Sequence, residues 1–127
     1  MKKNQLLYYS PSITWAFFIL VICLLPASQI PRPFFYRSDL VIHFVCYLLL
    51  GVFIRFAWYK SNKKPKVQFL IATWAGMALF GLMIEVLQAV LPIHRNFSFE
   101  DFAVNSAGAA ILFFQNKLNA LFLRWNL

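Results

Sequence analysis

The stretch LVIHFVCYLLLGVFIRFAWY, Leu40 to Tyr59, decides the class of this protein. Only Arg55 carries a fixed charge in it. About 20 mostly apolar residues at ~1.5 Å each span the hydrocarbon core of a bilayer. The surrounding chain has the same character. Of its 127 residues, 61% are hydrophobic and 13% charged, so a water-exposed surface could hardly be covered. The fold class expected is an all-α membrane protein in one domain, residues 1–127.

Working outward, three further spans are expected. SITWAFFILVICLLPAS, Ser12 to Ser28, follows Pro11, which suits a helix start, and Pro26, Pro31 and Pro33 mark its end. Lys2 and Lys3 before this run also resemble the head of a signal peptide, with LLPAS as its cleavage region; the favoured reading retains the segment as span one. Span three is expected over Val67 to Leu91, stopped by Pro92, and span four over Glu100 to about Phe122. The expectation is therefore a four-transmembrane-helix bundle, with spans at 12–28, 40–59, 67–91 and 100–122.

The formal charge of +8 is distributed as a topology signal. Lys2, Lys3, Lys60, Lys63, Lys64, Lys66, Lys117 and Arg124 fall at one end of such a bundle, against Arg32, Arg37 and Arg95 at the other. The positive-inside rule puts both termini in the cytoplasm, and Arg55 is expected to snorkel to the basic end. These lysines do not interleave with exposed aromatics, which argues against nucleic acid as a partner. Cys23 and Cys46 lie in apolar runs without metal-ligand or disulfide spacing.

The polar residues converge on the opposite end. Asp39, His43 and Tyr47 recur every fourth residue, so one helix stripe carries all three. Glu85 and Gln88 are neighbours one turn apart near the top of span three. Asp101, Asn105 and Gly108 form a third stripe, and Arg95 sits on the short loop before it. A carboxylate within a bilayer turns inward and is paired, hydrated or neutralised. For Glu85 the natural partners are Arg95, His43 or a cation, with a protonated carboxyl as the alternative. Each residue also has a structural reading. Ser98 and Asp101 fit a capping box, Asp39 suits a helix N-terminus, and Asn105 can bond between helices. Ala72, Gly76, Gly81, Ser106, Gly108 and Ala110 suit close packing. The four tryptophans need no role beyond packing or interface anchoring.

The segments SDLVIHFVCYLLLG, IEVLQAVLPIHRNFSFED and NSAG, in this order and spacing, resemble the VanZ-like family of small bacterial membrane proteins, named for a teicoplanin-resistance protein. The resemblance covers Asp39 to about Ala110. It implies a multi-pass protein of the bacterial cytoplasmic (inner) membrane and a link to glycopeptide tolerance, without a settled reaction.

The functional expectation is a polar pocket at the extracytoplasmic ends of spans two to four, formed by Asp39, His43, Tyr47, Glu85, Gln88, Arg95, Asp101 and Asn105. It would hold an envelope lipid headgroup or a lipid-linked precursor. An intramembrane enzyme with His43 as acid–base is the alternative, but no nucleophile motif accompanies it. A proton-coupled transporter would need a homo-oligomer, because four spans are few for a path. A purely structural bundle is the fourth reading. No cofactor is expected, and no metal motif such as H-E-x-x-H is present.

Overall fold

In a computed structural model of the chain, residues 3–29 and 38–127 are described, and every element among them is helical. Helix α1 covers Lys3–Cys23 and is followed by a 3-10 turn, Ala27–Gln29. Helix α2 covers Ser38–Lys60 and α3 covers Val67–Val90. After a loop come α4, Phe99–Ala109, a 3-10 segment, Ala110–Phe113, and α5, Gln115–Arg124. The expected markers Arg32, Arg37, Pro31 and Pro33 lie outside the described residues, as does Lys2.

Helices α1 (from Asn4), α2 and α3 are each long and apolar enough to cross a membrane. Their burial is inverted relative to a water-soluble domain. Leu79, Val90 and Phe17 are 64%, 75% and 65% exposed, while Glu85, Arg55 and Gln88 are 0%, 1% and 1% exposed. Hydrocarbon outside and polar groups inside is the arrangement that minimises the cost of charge in a bilayer.

The expected spans two and three hold to within two residues at each end. Span one does not. Its helix begins well before Ser12 and runs through Pro11. A proline inside a helix leaves the carbonyl four residues earlier without its amide. Here that carbonyl belongs to Leu7, and Ser10 Oγ donates to it at 2.7 Å. The local serine thus restores the missing bond, and the helix continues. At the other end α1 stops at Cys23, not Ser28.

The segment expected to form span four is not one continuous helix. At its midpoint Ala110 bonds back to Ala107, a 3-10 pattern, and the carbonyl of Ser106 is left to another donor. Trp74 Nε1 of α3 donates to it at 2.9 Å. Phe114, at φ −88° and ψ 37°, then leaves the helical region before α5 begins. The broken segment still runs alongside α2 for most of its length. Asn105 meets His43 near the start of α2, Arg55 Nη2 donates to Asn119 Oδ1 at 2.9 Å, and the Phe122 ring lies 5.5 Å from those of Phe56 and Tyr59. Helices α2 and α4 are therefore parallel. Arg55 does not snorkel. It is buried, with its guanidinium 5.4 Å over the Trp58 ring and bonded to Asn119, which gives it interior partners in place of the interface.

Packing is tightest between α2 and α4. A Cβ on Gly108 would collide with the carbonyl oxygen of Phe44, so the two backbones touch there. Trp15 of α1 donates from Nε1 to the Cys46 carbonyl of α2 at 2.9 Å. Lys63 donates to Tyr9 Oη at 3.0 Å, which puts the start of α1 and the lysine-rich turn at the same end. Gly76, expected at a packing contact, has open space instead: a Cβ there would meet nothing within 4 Å.

Two substitutions separate these glycines. Gly108→Ala should destabilise the protein by about 1–3 kcal/mol, because backbone atoms cannot step aside. Gly76→Ala should stabilise it by up to about 1 kcal/mol, since it removes a helix-interior glycine at no steric cost. Thermal unfolding in detergent checks both. By the same measurement Trp74→Phe should cost about 0.6–1.7 kcal/mol, the range for single interhelical hydrogen bonds in membranes.

Candidate functional site

The site is built from the ends of four helices, on the end of the bundle away from the lysine-rich turn. Its first layer is the C-terminus of α1. The Cys23 carbonyl is among the last carbonyls of that helix, which have no intrahelical amide and carry the negative end of its dipole. Gln88 Nε2 of α3 donates to it at 2.7 Å and Arg95 Nη1 donates at 3.1 Å. Arg95 reaches back from the loop after α3. The residue before it, His94, is exposed and adopts φ 56°, a left-handed turn that redirects the chain at this point.

The second layer joins α3 to α4. Ser98 is the N-cap of α4, and its Oγ accepts the Asp101 N–H at 3.2 Å. In a complete capping box the Asp101 carboxylate would in turn accept the Ser98 N–H. Here Glu85 Oε2 accepts it instead, at 2.9 Å. The carboxylate also faces the positive end of the α4 dipole. Glu85 thereby releases the side chain of Asp101 from capping.

The third layer uses that freedom. Asp101 Oδ2 lies 3.6 Å from His43 Nε2, and Asn105 Oδ1 lies 3.2 Å from His43 Nδ1. An amide oxygen can only accept, so Nδ1 is the donor in that contact. Room for Asn105 comes from Gly81. A Cβ there would stand 3.2 Å from Asn105 Nδ2 and 3.2 Å from Tyr47 Oη. Glu85 Oε1, Asp101 Oδ1 and Tyr47 Oη are buried and have no hydrogen-bond partner among the described residues.

Seven of the eight residues singled out from the sequence thus gather at this end of the bundle: His43, Tyr47, Glu85, Gln88, Arg95, Asp101 and Asn105. Tyr47 lies deepest, against Phe80 of α3. Asp39 does not join them. It is exposed in the first turn of α2, and His43 turns to α4 instead of to its own helix. Three contributors were not singled out for this site. The Cys23 carbonyl and the Ser98 amide are backbone groups, which no residue letter advertises. Gly81 suits close packing by its sequence, and it does pack, but against the site's own polar groups.

A family model described as VanZ/LLP1 matches residues 13–119. Comparison with curated proteins and with solved structures gave no match. The family match takes in all three layers, from the end of α1 through α4, and covers most of the chain. With apolar helices on the outside and a buried polar cluster where those layers meet, this protein belongs to the VanZ-like family of membrane proteins.

Proposed function

We propose that this protein holds the headgroup of an envelope lipid, or of a lipid-linked precursor, at the end of the bundle formed by Cys23, Glu85, Arg95 and Asp101. One observation carries the reading. Two buried carboxylate oxygens, Glu85 Oε1 and Asp101 Oδ1, have no hydrogen-bond partner among the described residues, beside a half-buried Arg95. A bundle built only for stability has little reason to keep unpaired acceptors in a low dielectric, where each costs about 1–3 kcal/mol or more. Hydroxyl or ammonium donors of a headgroup suit the carboxylates, and its phosphate suits Arg95.

The apolar part of such a molecule also has a place to lie. A groove of about 370 Å³ between α1, α2 and α3 is lined by Ile13, Ala16, Leu50, Ile54, Met77 and Phe80. Phe80 is five residues from Glu85, so groove and cluster are roughly 8 Å apart along α3. In this reading the segment from Phe99 to Arg124 crosses the bilayer as a fourth, broken span. The lysine-rich end then faces the cytoplasm of a bacterial inner membrane, and the cluster faces the outer leaflet. A role in glycopeptide tolerance follows only if the bound amphiphile is a cell-envelope precursor. The His43–Asp101 pair favours an intramembrane acid–base enzyme as the second reading; the Ser98 hydroxyl, already engaged as a cap, is unsuited to be its nucleophile.

The test is thermal unfolding of purified protein with and without bacterial lipid extract. Lipid at a hundredfold excess over Kd should stabilise the wild type by about 2.7 kcal/mol. Arg95→Ala should lose that increment while keeping the baseline, because Gln88 still serves the Cys23 carbonyl. Glu85→Gln should keep the baseline as well, since an amide oxygen still accepts the Ser98 N–H, whereas Glu85→Ala should lower it. Equal lipid stabilisation of wild type and Arg95→Ala, or none in either, overturns the headgroup reading.

A further inference from the structure

We infer that His43, Glu85 and Asp101 form a binding site for a divalent first-row metal ion of the Mn²⁺ or Zn²⁺ type. One ligand atom from each, a histidine nitrogen and two carboxylate oxygens, lies within 4.8 Å of the other two. The three come from α2, α3 and α4, so no local motif announces them.

The distances favour a shared cation over direct pairing. His43 Nε2 and Asp101 Oδ2 are 3.6 Å apart. A charge-assisted N–H···O bond is about 2.7–2.9 Å long, so this contact is too long to be one. Two ligands of one cation, each about 2.1 Å from it, stand roughly 3.0–3.4 Å apart in octahedral or tetrahedral geometry. A small inward movement of the three side chains closes the site.

The surroundings have the form of a metal centre's outer shell. A ligating histidine usually donates its other ring N–H to an oxygen, which fixes the ring and the tautomer. His43 Nδ1 does this toward Asn105 Oδ1 at 3.2 Å. Ligating carboxylates are themselves hydrogen-bonded, and Glu85 Oε2 accepts the Ser98 N–H at 2.9 Å. The opposite oxygen of that fully buried side chain, Oε1, is unpartnered, as is Asp101 Oδ1. Two carboxylates this close in a low dielectric repel each other, and a dication offsets both charges at once. Arg95 neutralises only part of this charge, and its hydrogen bond goes to the Cys23 carbonyl. Mixed imidazole and carboxylate ligation fits Mn²⁺ and Zn²⁺ better than Ca²⁺, which takes oxygen ligands almost alone. The remaining coordination positions are open to water or to an anionic oxygen. The site stands without the headgroup reading, because its test contains no lipid.

Tag-free protein in detergent is stripped with chelator, equilibrated with Mn²⁺ alone, and assayed by elemental analysis and pulsed electron paramagnetic resonance. About one equivalent of Mn²⁺ per chain is expected, with nitrogen coupling from one imidazole. His43→Gln and Asp101→Asn should each weaken uptake at least tenfold. Asp39→Asn, outside the cluster, and His94→Asn, at the only other histidine, should leave both uptake and coupling intact. Uptake below a tenth of an equivalent overturns the site, as does uptake without nitrogen coupling. So does uptake that persists in folded His43→Gln. If the His43 and Asp101 variants do not fold, the nitrogen coupling of the wild type, retained in His94→Asn, decides alone. Stoichiometric Mn²⁺ uptake without lipid stabilisation would leave this site standing and the headgroup reading fallen.

Discussion

The hydrogen bond from the Ser98 amide to Glu85 Oε2 organises the polar end of this protein. The first amides of a helix have no intrahelical acceptor, and each needs another one. Ser98 supplies one to Asp101 through its own hydroxyl, but its own amide must look elsewhere. By reaching across from α3, Glu85 fixes where α4 starts, holds α3 against α4, and leaves Asp101 free to face His43. Replace that long-range acceptor with the local one, and the third layer of the cluster disappears, because Asp101 would be spent on its own helix.

Much of this was legible in the letters. Uninterrupted apolar runs of about 20 residues admit few alternatives to a spanning helix, which is why α2 and α3 fell close to their expected bounds. The convergence of His43, Glu85, Gln88, Asp101 and Asn105 was also readable, because helical spacing fixes which residues share a face and alternation of direction fixes which ends meet. The rest was hidden for identifiable reasons. Pro11 reads as a helix boundary unless the hydroxyl of Ser10 is seen to replace the lost donor. Arg55 reads as an interfacial cation unless Asn119, 64 residues away, is known to lie beside it. The 3-10 turn at Ala110 leaves the Ser106 carbonyl to Trp74, a contact that no local pattern encodes. Asp39 shares a stripe with His43, yet the ring has better partners on another helix.

The three layers also differ in what holds them. The Cys23 layer ties α1 to α3 through a backbone carbonyl, so the identity of residue 23 matters little there. The Glu85 layer depends on one carboxylate and one amide. The His43 layer is made of side chains only and has the most unmet polar capacity. Chemistry, or a ligand, is best sought where the protein has not satisfied its own groups.

The contact between Gly108 and the backbone at Phe44 bears on how this protein can vary. Where two helices touch through peptide atoms, their separation does not depend on side chains elsewhere. His43 sits one residue before that contact on α2, and Asn105 three residues before it on α4. Apolar residues facing the lipid can therefore drift among Leu, Ile, Val and Phe, and the protein can adapt to membranes of different lipid composition without retuning the geometry of its polar centre.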